Sequence, residues 1–270
     1  MTKTALITGG ASGLGKALAH YYAKQGFEIC VADINIEQGI QVCQDIQKAG
    51  GKALFITCDI TLESSIETLK SELLTHWHKL DVLINNAGVA TAGAIEYEDI
   101  EQWQWVMNIN VFGMVRMCRA FVPLLAQKNT SQIINIASQA GITPISLMAS
   151  YNASKAAVVS FSETMHIELA PKGIHVCVAC PSFFATNLGE SLRSTQPGIR
   201  ELVAKLLSRS DIDATNIAKQ IFQASENNQF MIVTHKKGRQ AYRLKRWLPT
   251  QSYLTMMKKK LKHFRPKSNE

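Results

Sequence analysis

The chain has 270 residues, 46% of them hydrophobic and 19% charged, and its 29 Lys and Arg outweigh its 21 Asp and Glu to a net charge of +8. This composition is too apolar for a disordered chain and excludes collagen, a coiled coil and a disulfide mini-scaffold. No stretch approaches the roughly 20 apolar residues of a spanning helix, and the strand-like run from Thr4 leaves no room for a signal peptide, so a cytoplasmic globular protein is expected.

Apolar strand-like runs alternate with helical periodicity along the chain. Thr4–Thr8 reads as a strand and Gly13–Gln25 as a helix with Leu14, Ala17, Leu18 and Tyr21 on one face. Phe27–Ala32 is a second strand, followed by a helix over about Glu37–Ala49 that stops at Gly50-Gly51. Ala53–Thr57, Val82–Ile84, Gln132–Ala137 and Ile174–Cys180 read as further strands, with helices over Leu62–Trp77, about Ile100–Gln127 and Tyr151–Ala170. Phe230–Thr234 would be the seventh strand. Such alternation implies an α/β fold, a Rossmann-type doubly wound parallel sheet of seven strands with helices on both faces. Ligands of such sheets bind beyond the carboxyl ends of the strands.

Residues 1–235 are expected to form one catalytic domain, and 236–270 a basic helical extension. The extension holds 12 Lys and Arg and one acid, Glu270, whereas the first 235 residues hold 17 bases and 20 acids. A field of this kind attracts nucleic acid, anionic lipid or an acidic protein, or it simply solvates a tail. Cys177 and Cys180 form a C-x-x-C, but an offset of three along a strand puts the thiols on opposite faces. They and the other four cysteines read as buried free thiols, and no metal site is expected.

Between the first strand and the first helix lies Thr8-Gly9-Gly10-Ala11-Ser12-Gly13-Leu14-Gly15. Glycines allow a tight turn and close backbone approach, and the helix N-terminus offers free N–H groups to a pyrophosphate. Asp33 ends the second strand, where an acid binds adenosine ribose hydroxyls. Its charge would repel a 2′-phosphate, so the expected cofactor is NAD(H) rather than NADP(H). Tyr151 and Lys155 lie one helical turn apart, an arrangement in which an ammonium can lower a phenol's pKa toward neutrality. Ser138, thirteen residues upstream, can hydrogen-bond a carbonyl where negative charge develops.

With these motifs the sequence resembles the short-chain dehydrogenase/reductase family in its single-domain form, over residues 4 to about 235. Thr8–Gly15 is similar to the family's T-G-x-x-x-G-x-G loop, Asn85-Asn86-Ala87-Gly88 to its N-N-A-G, and Asp59-Ile60 to its adenine-contacting pair. Asn110, Ser138, Tyr151 and Lys155 match its catalytic positions. The resemblance implies that Tyr151 exchanges a proton with the substrate oxygen, Lys155 lowers its pKa and holds the nicotinamide ribose, Ser138 orients the carbonyl, and Asn110 holds a water in a proton relay. It also implies cofactor contacts at Gly9, Ser12, Gly13, Leu14, Gly15, Asp33, Asp59, Ile60, Asn85, Ala87, Gly88, Phe184 and Thr186, with Thr186 on the carboxamide. A homodimer or homotetramer is implied as well. The chain departs from the family at Ser182, where a glycine normally follows Pro181, and at Ala137, where a serine is frequent.

Val89–Ile95, Gln139–Ala149 and Phe183 to about Ser210 should wall the substrate pocket. The first two segments carry no charge among Val89–Gly93 and Gln139–Ala149, and no arginine stands beside Ser138 to grip a carboxylate. An apolar, lipid-derived alcohol or carbonyl is therefore expected, interconverted with NAD(P). The alternatives are a 3-oxoacyl carrier-protein or CoA reductase and a nicotinamide-binding regulator without turnover. Pro249 divides the tail into helical segments Gly238–Leu248 and Gln251–Phe264. Tyr253, Met257, Leu261 and Phe264 line one face of the second, which could rest on a membrane surface or pack on the body. No base-reading module accompanies the lysines, so no specific nucleic acid is expected.

Overall fold

The computed structural model describes residues 2–125, 131–182, 192–207 and 212–260. Seven strands form one sheet in the order β3-β2-β1-β4-β5-β6-β7: β1 Thr4–Thr8, β2 Glu28–Asp33, β3 Lys52–Thr57, β4 Val82–Asn85, β5 Ser131–Ile136, β6 Ile174–Ala179 and β7 Met231–Ile232. All neighbouring pairs are parallel. The central strands β1, β4 and β5 are buried at every residue, which is why they read as apolar runs rather than alternating ones. The helices are α1 Gly13–Lys24, α2 Ile36–Lys48, α3 Glu63–His76, α4 Ile100–Met107, α5 Met114–Phe121, the short α6 Gln139–Ile142, α7 Ala149–Leu169, α8 Ile199–Leu207, α9 Ala214–Glu226, α10 Lys236–Trp247 and α11 Thr250–Lys260.

Alternate residues of each strand feed two cores on opposite faces of the sheet. Leu6 joins one core, and its neighbours Ala5 and Ile7 join the other. Cys177 and Cys180 divide in the same way, as their spacing requires, and all six cysteines are free and buried. On one face Tyr22 meets Phe27 and Phe222 edge-on, with ring centroids 5.1 and 4.9 Å apart, locking α1 to α9. Strand order reverses between β1 and β4, so a crevice opens beyond their carboxyl ends.

Two elements differ from their sequence reading. The long helix expected over about Ile100–Gln127 is broken by a π-turn at Asn108–Gly113 between α4 and α5. Helical periodicity survives one inserted residue, so the pattern gave no warning. The seventh strand is two residues long because only Met231 and Ile232 pair with β6.

The tail folds back on the body. Lys245 Nζ donates to the Ile142 carbonyl at 2.7 Å, and Tyr253 is only 4% exposed. Gly238 lies so close to the Gln139 amide that a Cβ there would stand 2.4 Å from Oε1. Tyr253 and Met257, read as one apolar face, therefore turn toward the protein, while Leu261, Lys262 and Phe264 lie outside the described residues. No helix among the described residues is long and apolar enough to cross a membrane.

Candidate active site

At the switch point a cleft of about 690 Å³ runs from Asp33 past the glycine loop to Tyr151 and Lys155. Its shape is set by backbone packing. Gly9 has φ +62°, and a Cβ on it would stand 2.7 Å from Ala87 Cα. A Cβ on Gly15 would stand 2.0 Å from the Gly9 carbonyl oxygen, so only glycine lets α1 start this close to the loop. Gly15 does not line the cleft, unlike Gly9, Ser12, Gly13 and Leu14; its contribution is packing rather than contact. The Ser12 side chain makes no capping bond to α1, which leaves its hydroxyl and the first N–H groups of the helix facing the cleft. These features fit a pyrophosphate.

Asp33 ends β2 with its oxygens turned to backbone donors: the Ala11 N–H at 3.0 Å and the Asn35 N–H at 2.9 Å. Each carboxylate oxygen keeps a lone pair for a ribose hydroxyl. Asp59, Ile60, Ala87 and Gly88 also line the cleft. One Asp59 oxygen already accepts from the Thr61 N–H and hydroxyl, at 2.8 and 2.7 Å.

Asn85 departs from its expected place. Its side chain turns into the core and donates to Asn135 Oδ1 at 2.9 Å, because residue alternation at the end of β4 points it away from the cleft. Asn86 faces the cleft instead, donating to the Thr8 and Gly9 carbonyls at 3.1 and 2.9 Å, while the Thr8 hydroxyl accepts from the Asn86 and Ala87 N–H groups. The N-N-A-G run contained both asparagines; only strand phase could have told them apart.

Tyr151 and Lys155 sit one turn apart at the start of α7, as their spacing predicts, and both line the cleft. The Ser138 hydroxyl stands close enough to the Tyr151 phenol to lower its pKa. Ser138 caps α6 through the Ala140 N–H at 3.1 Å and is not among the residues lining the nucleotide cleft. Lys155 Nζ donates to the Ile136 carbonyl at 3.0 Å and stands 5.9 Å from the Tyr151 ring centre. Burial pushes the Tyr151 phenol up to about 12, partly offset by the neighbouring Ser138 hydroxyl, and brings the Lys155 ammonium down to about 8. The expected lowering of Tyr151 by Lys155 is not seen in the protein alone, where desolvation raises the phenol and Ser138 is the group that lowers it.

Asn110 is fully buried and lines no cleft. Its amide accepts from the Val89 N–H at 2.8 Å and donates to the Val89 carbonyl and to Ser154 Oγ, both at 3.0 Å. Its side chain ties the π-turn to the loop after β4 and to α7. Phe184 and Thr186 lie outside the described residues.

Several contributors escaped the sequence reading. Buried Glu98 accepts from the Ser150 N–H and hydroxyl, both at 3.0 Å, and so anchors the first turn of α7 just before Tyr151. Burial raises its carboxyl above the ordinary value. Arg193 stacks 3.8 Å over Trp105, whose ring lines the cleft. Ala90, Ala92, Ala140, Met148, Leu192 and Ile199 pack around Tyr151 in a separate apolar cluster, uniting the three segments expected to wall the substrate. A distant glutamate and a cation–π pair leave no spacing signature.

The profile of short chain dehydrogenases matches residues 3–197. A CLA biosynthesis dehydrogenase/reductase of Lactiplantibacillus plantarum is 31% identical over 251 residues, 86% of this chain and 88% of that protein. A short-chain dehydrogenase/reductase of Burkholderia phymatum, solved in complex with NAD, has a TM-score of 0.85 at 28% identity over 91% of this chain and 93% of its own. An actinorhodin polyketide ketoreductase, solved with NADPH, has a TM-score of 0.75 at 25% identity over 86% of this chain and 95% of its own. Matched over most of its length and sharing the fold of these proteins, the chain belongs to the short-chain dehydrogenase/reductase family of oxidoreductases.

Proposed function

We propose that this protein interconverts a secondary alcohol and a ketone, or an aldehyde and its alcohol, on an apolar, lipid-derived substrate with NAD(H). The observation that carries this reading is the buried Tyr151 phenol, close to the Ser138 hydroxyl and flanked by Lys155 at the end of the glycine-loop cleft. A nicotinamide held in that cleft supplies or receives the hydride.

Ser138 and Tyr151 would both donate to the substrate oxygen. As negative charge grows there during reduction, Tyr151 transfers its proton and Lys155 offsets the resulting phenolate charge. A phenol held near 12 stays protonated at neutral pH, which suits the proton-donor role. The reverse reaction needs the phenolate and therefore gains from rising pH. Lys155 holds the nicotinamide ribose, and Asn110 and Glu98 position the loop and helix.

Asp33 supports NAD(H), since both its oxygens stand at the ribose end and a 2′-phosphate would meet that charge. Gln38, Ile34 and Asn35, which line the same end, supply no cation. Residues 1–235 act as the catalytic domain and 236–270 as an extension, of which the described residues 236–260 pack against its substrate side. Assembly as a homodimer or homotetramer is part of this reading. So is cytoplasmic placement, with peripheral contact to anionic lipid through Trp247 (87% exposed) among Arg243 and Arg246.

The test is nicotinamide absorbance with NADH and NADPH against ketones, aldehydes and acyl thioesters. Turnover of apolar ketones with NADH at least about tenfold better than with NADPH is the expected result. An NADPH preference with acyl thioesters would replace this reading by the acyl carrier-protein reductase.

A further inference from the structure

A second cavity, of about 250 Å³, lies between the tail helices and the loop after β5. Ser182 lines both this cavity and the nucleotide cleft, so the two spaces flank one residue close to the reaction centre. Gln139, the residue after Ser138, forms the near wall. Ala140, Ile145, Ala241, Leu244 and Met256 make the sides apolar, with Tyr253 inside and Lys260 at the end of α11.

The hydroxyl of Tyr253 is the odd group. The residue is 4% exposed, yet its Oη finds no hydrogen-bond partner among the described residues. A buried phenol without a partner costs the fold free energy, and phenylalanine would pack as well. Gln139 Oε1 is likewise buried and unpartnered, turned to the α10 side of the same cavity. Three of the four residues that follow Met256 are lysines, and Lys260 is the one lining the cavity. An apolar chamber with one phenol donor and one ammonium suits an aliphatic chain that ends in an anion.

We propose that the C-terminal helices form the far end of the substrate site, which receives an aliphatic chain whose terminal carboxylate is bound by Tyr253 and Lys260. The inference rests on the reductase reading for its link to turnover and narrows the substrate to an oxo or hydroxy acid with the reacting carbon several bonds from the carboxylate. No base beside Ser138 is then required, because the acid is held on the tail. The Ser182 side chain, where glycine is usual, stands at the junction of the two spaces.

Octanoate titrated calorimetrically into the full chain without nucleotide reads the cavity independently of chemistry. Wild type binds octanoate at least about tenfold tighter than octylamine, which has the same chain and the opposite charge. Ala241→Phe, which fills the chamber, and Lys260→Ala each weaken octanoate by about tenfold. Tyr253→Phe weakens octanoate by about fivefold while its Tm does not fall below that of wild type, since no hydrogen bond among the described residues is lost. In turnover, Ala241→Phe lowers the kcat/KM ratio of a long oxo acid over a short ketone by about tenfold. Octylamine binding as tightly as octanoate, or octanoate binding indifferent to all three substitutions, overturns the proposal. Octanoate binding that follows the substitutions in a protein that reduces no carbonyl upholds the subsite and removes the reductase reading instead.

Discussion

On the nucleotide side of the cleft, Asn86 is tied to Thr8 and Gly9, Asp33 to Ala11 and Asn35, and Asn110 to Val89, all by hydrogen bonds of 2.8 to 3.1 Å. On the substrate side the walls are an apolar cluster and two tail helices, and polar atoms of Gln139 and Tyr253 are buried without partners among the described residues. Leu147 there adopts φ 63°, in the left-handed region that a leucine rarely occupies. One half is a backbone-defined cradle for a ligand common to the family. The other is a side-chain-defined chamber whose contents can change without disturbing the sheet. Changes in the cradle should therefore abolish function outright, and changes in the chamber should shift preference among substrates.

The sharpest way to break this contrast is at Gly15. Gly15→Ala places a methyl 2.0 Å from the Gly9 carbonyl and must displace the loop. NADH affinity should fall by about a hundredfold in a titration of intrinsic fluorescence. A change under about threefold would mean that the loop is not the cradle.

Lys155→Met separates activity from stability. It should lower kcat by about a hundredfold. It should also stabilise the fold, because burial brings the ammonium from its ordinary 10.5 to about 8. That shift corresponds to a penalty on the order of 3 kcal/mol, from which about 1 kcal/mol for the lost bond to Ile136 is subtracted. Since the folded pKa lies below the unfolded one, the unfolded chain binds the extra proton between about pH 8 and 10.5. The penalty is complete below about pH 8 and gone above 10.5, so the gain in urea unfolding should be largest at neutral pH and fade as pH rises.

Asp33→Ser sharpens the cofactor assignment. The KM for NADH should rise about tenfold and that for NADPH should fall, as the repulsion of a 2′-phosphate disappears. At the other end of the scale, Arg193→Ala removes an exposed cation–π contact with Trp105, worth about 0.5–1 kcal/mol. Turnover should change by no more than about fivefold, with the shift in KM rather than in kcat.

The cradle was legible in the sequence because glycine and strand phase leave local marks. Gly9, Gly13, Tyr151 and Lys155 all stand where the spacing put them. Asn85 misled because two adjacent asparagines share one motif, and only the pleat of β4 decides which faces the cleft. Glu98, fifty-two residues from the Ser150 it holds, and Tyr253, brought to the β5 loop by α11, depend on tertiary packing that no local pattern encodes. The tail reads as a charged amphipathic helix in sequence, and its inward turn follows from the Lys245–Ile142 and Gly238–Gln139 contacts.

The central claim is that Tyr151 is the proton donor of a working reductase. Wild type and Tyr151→Phe compared with NADH and an apolar ketone test it most directly. The account predicts that kcat falls about a thousandfold in the variant, while NADH affinity, measured separately, changes by less than about twofold. A variant that keeps kcat within about tenfold of wild type would contradict it.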